Sequence, residues 1–259
     1  MVLASLAIPF RTAGQATEPD QPPAASPTLQ PTADVDRPVS WRHLVPNLIS
    51  DQERIWSFPA RVVQGQDWIP TVAVLGATAG LIAADPTEGA YFRRTSTFHG
   101  FNNIFTGNAT LIGIMATPIS LYGGGFIRRD SKMQRTALLA GEAVADSEIL
   151  TTVLKDATRR VRPAAIPPSG NFSDTWFESG GSLWRGRGSF PSGHAIAGFS
   201  VATVIARRYG NHRWVPYAAY GMAALVGFSR LTLSSHFLSD VFMGGALGYS
   251  ISRFAVLRQ

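Results

Sequence analysis

Three short stretches of the sequence carry side chains that could act together on an anion. The first, LKDATRRVRP (154–163), spaces Lys155, Arg159 and Arg162 four and three residues apart, so a helix would present them on one face. Pro163 is expected to end that helix. Arginine offers a fork to two anionic oxygens and lysine a point charge, which favours a clamp for a multiply charged anion. A solvated basic face is the alternative for this stretch alone.

The second stretch, SFPSGHA (189–195), predicts the start of a helix beside an anion. Pro191 suits the first helical turn because its missing N–H needs no partner there. Ser192 supplies a hydroxyl, Gly193 lets the backbone approach a ligand, and the free N–H groups of a helix start attract negative charge. His194 would lie at the rim of this site and exchange a proton there. A plain helix cap with a structural histidine is the alternative.

The third stretch, SRLTLSSHFLSD (229–240), pairs His236 with Asp240 at the i, i+4 spacing of a helix. One helical turn would bring the carboxylate beneath the imidazole, fix its tautomer and leave the other ring nitrogen as a nucleophile or base. Arg230 lies six residues earlier, in the connection before this helix. An ordinary His–Asp helix pair is the alternative for this stretch alone.

Taken together, the three stretches supply cations, a helix N-terminus and two histidines, one of them with a carboxylate partner. In-line phosphoryl transfer through a covalent phosphohistidine requires these groups. His194, His236 and Asp240 could also form a zinc-like ligand set. The neighbouring cations would repel a divalent ion, so we expect no metal.

The order and spacing of these motifs resemble the type 2 phosphatidic acid phosphatase superfamily, which includes vanadium haloperoxidases and bacterial non-specific acid phosphatases. The family pattern is Lys, six residues, Arg-Pro; then Pro-Ser-Gly-His; then Ser-Arg, five residues, His, three residues, Asp. The matching residues here are Lys155, Arg162, Pro163, Pro191, Ser192, Gly193, His194, Ser229, Arg230, His236 and Asp240. Every motif position matches, over about 155–240, and residues 1–60 lie outside the resemblance.

The resemblance implies a role for each motif side chain. His236 would be the nucleophile, Asp240 would orient it, and His194 would protonate the leaving oxygen and then activate water. The residues expected to hold the phosphate are Lys155, Arg162, Ser192, Gly193 and Arg230. No metal or cofactor is implied, although vanadate could occupy the pocket as a phosphate mimic.

The pattern of apolar residues predicts an all-α fold, a bundle of about six core helices like that of the family. Strict alternation of apolar and polar residues between turn signals, which would indicate strands, is absent. Asp85-Pro86 is expected to end the helix predicted over 68–84. The predicted helices span 68–84, 100–127, 136–161, 192–208, 214–229 and 236–254.

The N-terminal part of the chain differs in composition from the rest. Residues 1–16 contain a short apolar run and a small-x-small pair, typical of the end of a secretory signal peptide, although no basic residue precedes the run. Residues 17–40 are rich in Pro, Ser and Thr and predict a disordered linker. We therefore expect a single helical domain over 41–259, exported to the periplasm or another extracytoplasmic site.

The net charge and the apolar segments bear on partners. The chain of 259 residues carries a formal charge of +6, which favours anionic partners, and no nucleic-acid-binding signature is visible. The chain contains no Cys, which excludes disulfides and thiolate chemistry.

The apolar runs are short or interrupted for a bilayer span of about 20 residues. The glycine pairs in GATAG (76–80) and GGALG (244–248) allow close helix packing in lipid or in a soluble core. We expect a compact domain lying against a membrane; the oligomeric state is left open.

The loop 164–190 places aromatic side chains beside arginines. Such a mixture suits a phosphate head with an apolar tail, as in phosphatidic acid or an isoprenyl pyrophosphate. Ordinary packing of a long loop is the alternative. The sequence therefore predicts a metal-independent phosphatase acting on a lipid phosphomonoester or pyrophosphate. The alternatives are a vanadate-dependent haloperoxidase, a broad-specificity soluble acid phosphatase and a non-catalytic phospholipid-binding module.

Overall fold

The computed structural model describes residues 37–180 and 186–258, which form helices and loops without a strand. The α-helices are α1 (Leu44–Val63), α2 (Trp68–Arg94), α3 (His99–Ile104), α4 (Gly107–Arg128), α5 (Ser131–Thr158), α6 (Gly193–Arg208), α7 (Trp214–Thr232) and α8 (Leu238–Ser250). Short 3-10 turns cover Trp41–His43 and Pro163–Ala165, and a π-helical turn covers Ile251–Val256. The all-α prediction is confirmed. The predicted signal segment 1–16 and residues 17–36 of the predicted linker lie outside the described residues.

Helix α6 lies at the centre of the bundle and packs against α5, α7 and α8. Its apolar core side chains are Ile196, Ala197, Val201 and Val204. The GGALG glycines of α8 face the start of α6, where a Cβ on Gly244 would lie 2.8 Å from the Ser192 carbonyl oxygen. Gly248 lies directly against the Ile196 carbonyl. Close approach of two helices, which this glycine spacing permits, thus brings the Pro-Ser-Gly-His stretch against α8.

Helix α2 continues through Asp85-Pro86 to Arg94, so the prediction that this pair ends the helix is wrong. The Asp85 side chain is buried and accepts hydrogen bonds from the Ser239 N–H and the Arg160 guanidinium. These tertiary contacts hold this part of α2 against α8 and offset the backbone hydrogen bond that a proline removes from a helix interior.

The predicted helix 100–127 is divided in two. Thr106 separates α3 from α4 and caps α4, its hydroxyl accepting a hydrogen bond from the Ala109 N–H at 3.0 Å. This break places the carbonyl groups of residues 105–107 at the start of α4. They are therefore available to side chains from other helices.

Helix α1 packs on α5 through buried polar groups. Arg37 forms ion pairs with Asp51 at 2.7 Å and with Glu142, and Asn47 donates to Glu142 at 2.9 Å. Arg37 is itself buried. The folded part therefore includes the last residues of the segment predicted as a linker, because this ion-pair cluster holds them against α5.

Among residues 37–180 and 186–258, two helices are long and apolar enough to cross a membrane. In α2 and α4 the most apolar windows have a mean hydropathy of 1.4 each, and only 11% and 22% of the windows are buried. Exposed apolar side chains on α4 include Ile112, Ile119 and Ile127. Gly76 and Gly80 of GATAG on α2 have open space at their Cβ positions. The apolar faces of these helices thus lie outside the bundle, whereas a compact soluble domain would bury them.

Candidate active site

The basic cluster after α5 lies mostly outside that helix, which ends at Thr158. Arg159 adopts a positive φ of 41° and is exposed, while Arg162 is extended and precedes a 3-10 turn. The prediction that Lys155, Arg159 and Arg162 share one helix face is therefore wrong. Lys155 and Arg162 nevertheless interact electrostatically: burial and the charge on Arg162 lower the pKa of Lys155 to about 8.

Helix α6 begins within the Pro-Ser-Gly-His stretch. Ser192 is the N-cap and accepts a hydrogen bond from the Ala195 N–H at 3.5 Å, and Gly193 is the first helical residue. Pro191 lies just before the cap rather than in the first turn. A Cβ on Gly193 would lie 3.3 Å from the Lys155 Nζ. The ammonium group therefore faces the helix start, where backbone N–H groups have no intrahelical partner.

His194 is positioned by a backbone carbonyl from the start of α4. Its Nε2 lies 3.1 Å from the Gly107 oxygen. Because a carbonyl oxygen only accepts, Nε2 carries the hydrogen and Nδ1 is the other available ring nitrogen. Arg230 is held by the same segment, donating to the carbonyls of Phe105 at 3.0 Å and Thr106 at 3.4 Å. Nothing in the sequence pattern pointed to this role of residues 105–107.

His236 and Asp240 meet as predicted, but His236 is not helical. Helix α8 begins at Leu238 with Phe237 as its N-cap, so the expected helical stacking is wrong. The Asp240 side chain instead folds back over the cap, and its Oδ2 accepts the Phe237 N–H at 2.9 Å. This places Oδ2 3.5 Å from the His236 Nδ1. The carboxylate therefore faces Nδ1, and Nε2 is the ring nitrogen without this partner.

Both histidines are neutral at pH 7 because of their surroundings. Burial lowers the pKa of His236 to about 4, against the pull of its carboxylate partner. Burial and the charge on Arg230 lower the pKa of His194 to about 4. Lys155 and Arg162 act in the same direction on both rings. The same two cations therefore act electrostatically on both imidazoles.

The cations repel one another in this pocket. Burial and the charge on Arg162 lower the pKa of Arg230 to about 10, and burial lowers the pKa of Arg162. Asp240 has a depressed pKa, because its contact with His236 and the charge on Arg160 outweigh the effect of burial. An anion bound among these cations would relieve their mutual repulsion.

The side chains that hydrogen-bond to the Asp240 carboxylate were not predicted from the sequence. The Ser189 hydroxyl donates to Asp240 Oδ2 at 2.5 Å, and Arg160 donates to Oδ1 at 2.7 Å. Arg160 also pairs with Asp85 of α2 at 2.7 Å. Ser189 and Arg160 lie within the quoted stretches but outside the motif positions. Asp85 is far away in sequence, and no local pattern indicates its partner.

The aromatic side chains of the loop 164–190 differ in exposure. Phe172 is buried in a cluster with Ile166 and Phe237, as the alternative of ordinary loop packing expects. Trp176 and Phe190 are half-buried and pack on each other, with ring centroids 5.3 Å apart. Phe177 is exposed, and Trp184 and Arg185 lie outside the described residues.

The zinc-like ligand set considered from the sequence is not assembled. Across residues 37–180 and 186–258, no group of three or more His, Asp or Glu side chains could hold a metal ion. The neutral histidines instead face cations, which is an arrangement for an anion.

The family match covers the part of the chain that contains this site. A family model described as PAP2 superfamily matches residues 136–259, just under half of the chain, which include every motif residue named above. The resemblance recognised from the three motifs is thereby confirmed.

Two similar proteins were found. A lipid A 1-phosphatase from Porphyromonas gingivalis is 39% identical over 61 residues, which cover 23% of this chain and 14% of that protein. The matched stretch thus spans a small part of that relative. The crystal structure of a transmembrane PAP2-type phosphatidylglycerolphosphate phosphatase from Bacillus subtilis aligns with a TM-score of 0.48 and 23% identity, covering 71% of this chain and 92% of that one.

Proposed function

We propose that this protein is a phosphatase that hydrolyses a lipid phosphomonoester or pyrophosphate through a phosphohistidine, without a metal ion. The observation that carries the proposal is the placement of His236 beside Asp240, with the charges of Lys155 and Arg162 acting on it. A neutral imidazole next to a cationic pocket is suited to attack a bound phosphoryl group.

In the first step, the His236 Nε2 lone pair attacks phosphorus and the bond to the leaving oxygen breaks. The bound phosphate dianion raises the pKa of His194, which takes up a proton on Nδ1 when the substrate binds. Since its Nε2–H is directed at the Gly107 carbonyl, the protonated ring gives the Nδ1 proton to the leaving oxygen and becomes neutral. In the second step, His194 takes a proton from water, the water oxygen attacks phosphorus and the P–N bond breaks. Inorganic phosphate leaves, and both histidines return to their starting states.

A lipid substrate and association with a membrane are supported by the two apolar helices. Helix α4 begins at the pocket, where Gly107 contacts His194. The end of α2 contacts the loop that follows Arg162, with Arg93 donating to the Ile166 carbonyl at 3.1 Å. If both helices cross a bilayer, the pocket lies near its surface, where lipid phosphates are found. The lipid phosphatase named among the similar proteins supports the same substrate class.

The test is phosphate release from phosphatidic acid and from a polyprenyl pyrophosphate in detergent micelles containing EDTA. We expect release by the wild type, its loss in His236→Ala, and retention in His212→Ala, which alters an exposed histidine. Quenching in alkaline detergent should trap an acid-labile, base-stable phosphoryl group in the wild type and in His212→Ala but not in His236→Ala. Release that survives His236→Ala would overturn the phosphohistidine route. Release confined to nitrophenyl phosphate, or bromide oxidation with vanadate and peroxide, would favour the soluble phosphatase or the haloperoxidase.

A further inference from the structure

Arg160 is among the most buried side chains of the described structure, with 1% relative exposure. Its guanidinium donates to Asp240 Oδ1 at 2.7 Å, to the Ser239 hydroxyl at 2.8 Å and to Asp85 Oδ2 at 2.7 Å. Its Nε donates to the Thr175 hydroxyl at 3.2 Å. One cation thus joins the end of α5, the start of α8 and the middle of α2.

Two aromatic rings fix the plane of this guanidinium. The Arg160 Cζ lies 4.4 Å from the Trp176 ring centroid and 4.1 Å from that of Phe237. Contact with two aromatic rings excludes water from the guanidinium and restricts its rotation. The fork is therefore held in one orientation, which a lysine at this position could not reproduce.

Residue 160 bonds to one oxygen of the Asp240 carboxylate directly and positions a donor to the other oxygen through Ser189. The side chain holds Oδ1 directly. The backbone carbonyl of Arg160 accepts the Ser189 N–H at 2.7 Å, and the Ser189 hydroxyl donates to Oδ2 at 2.5 Å. With both oxygens fixed, the carboxylate presents Oδ2 to the His236 Nδ1 in one geometry.

We infer that Arg160, anchored by Asp85, is a positioning residue that orients the Asp240–His236 pair for phosphoryl transfer. Arg160 does not touch the reacting atoms; it acts through the carboxylate that sets the tautomer of His236. Partners that orient a functional histidine commonly contribute 10–100-fold to activity. The inference rests on the proposed function for its kinetic consequence, but its structural consequence is independent of any substrate.

The kinetic test compares Arg160→Gln and Arg160→Lys with the wild type in lipid phosphate release. We expect kcat to fall about 10–100-fold in Arg160→Gln, with KM changed less than about threefold, because substrate contacts remain. Arg160→Lys should restore part of the loss, since it keeps the charge but not the fork. The matched control is Arg159→Gln, which alters the exposed neighbour and should leave kcat and KM unchanged.

The structural test observes the His236 ring directly. The chain has five histidines, so ¹⁵N-histidine labelling gives few ring signals, and the His236→Asn spectrum assigns the one of interest. In the wild type, we expect a neutral ring with hydrogen on Nδ1 and a bare Nε2. In Arg160→Gln and in Asp85→Asn, we expect a mixture of tautomers. A single wild-type tautomer and wild-type kcat in folded Arg160→Gln would overturn the inference.

A control guards against loss of folding. Either single change leaves a buried charge without its partner, which is strongly destabilising. The double variant Arg160→Gln/Asp85→Asn removes both charges of that pair and should show the same mixed tautomers as Arg160→Gln. If the wild type releases phosphate from no substrate, the proposed function fails, and the ring signals still decide the role of Arg160.

Discussion

The Ser192 N–H donates to the Asp240 backbone carbonyl at 3.0 Å, so the N-cap of α6 is bonded directly to the first turn of α8. A backbone hydrogen bond therefore joins the second and third motifs, independently of their side chains. The glycine contact between Gly244 and the Ser192 carbonyl lies beside this bond. The relative position of the start of α6 and the His236–Asp240 pair is thus set by the packing of two helices.

Replacing Gly244 with Ala should therefore reduce both stability and activity. The added methyl group would lie 2.8 Å from the Ser192 carbonyl oxygen and 3.0 Å from the Ala195 Cβ, neither of which can turn away. Overpacking of this kind costs about 1–3 kcal/mol. We expect Gly244→Ala to lower the midpoint of thermal unfolding in detergent and to reduce kcat, both relative to the wild type.

Gly141→Ala is the matched control for that change. Gly141 is also inside a helix, but nothing lies within 4 Å of its Cβ position. Alanine there should stabilise the helix by about 0.5–1 kcal/mol through the lower entropy of the unfolded chain. Equal midpoints for the two variants would contradict the assignment of the α6–α8 contact as tight.

The fold class, most helices and the motif residues could be predicted because each depends on local pattern. Periodicity located α5 to α8, and fixed spacing located Lys155, His194, His236 and Asp240. Helix boundaries near the site were wrong where tertiary contacts override local preference. Asp85 accepts a hydrogen bond from the start of α8, and such contacts keep α2 helical beyond Pro86.

The surroundings of the site could not be predicted, since they depend on contacts between distant segments. Arg160 and Arg159 are adjacent and chemically identical in the sequence, yet one is buried and the other exposed. The chain leaves the helix between them, through the positive φ of Arg159. Likewise, the carbonyl of Gly107 has no sequence signature, although it positions His194.

Anion binding should draw a proton from solution at mildly acidic pH. In the free protein, burial and the cations hold the pKa of His194 at about 4. A bound sulfate dianion would cancel the cationic repulsion and raise this pKa. Between pH 4 and the raised value, His194 is neutral before binding and protonated after it. We expect proton uptake with sulfate at pH 5.5, measured by titration calorimetry in buffers of different ionisation enthalpy.

Variants identify the group that takes up this proton. Sulfate stays doubly charged at pH 5.5, so the ligand contributes none. Uptake should disappear in His194→Gln and persist in Glu148→Gln, which alters a carboxyl group that lies near Lys155 and has a raised pKa. Uptake that persists in His194→Gln but is lost in His236→Gln would reverse the acid and nucleophile assignments.

The apolar face of α4 should lie in the hydrocarbon of a bilayer. Because the chain contains no Cys, single cysteines can carry a fluorescent label at chosen positions. Ile119, near the middle of α4, is 67% exposed, and a label on Ile119→Cys should be quenched by lipids brominated on their acyl chains. A label on Arg159→Cys, at the pocket end of α5, should instead be quenched by aqueous iodide. A domain that only rests on the surface would expose the Ile119 label to iodide as well, because the described residues bury only 22% of the apolar window of α4. Quenching of that label by lipid and not by iodide separates a spanning α4 from the compact arrangement expected from the sequence.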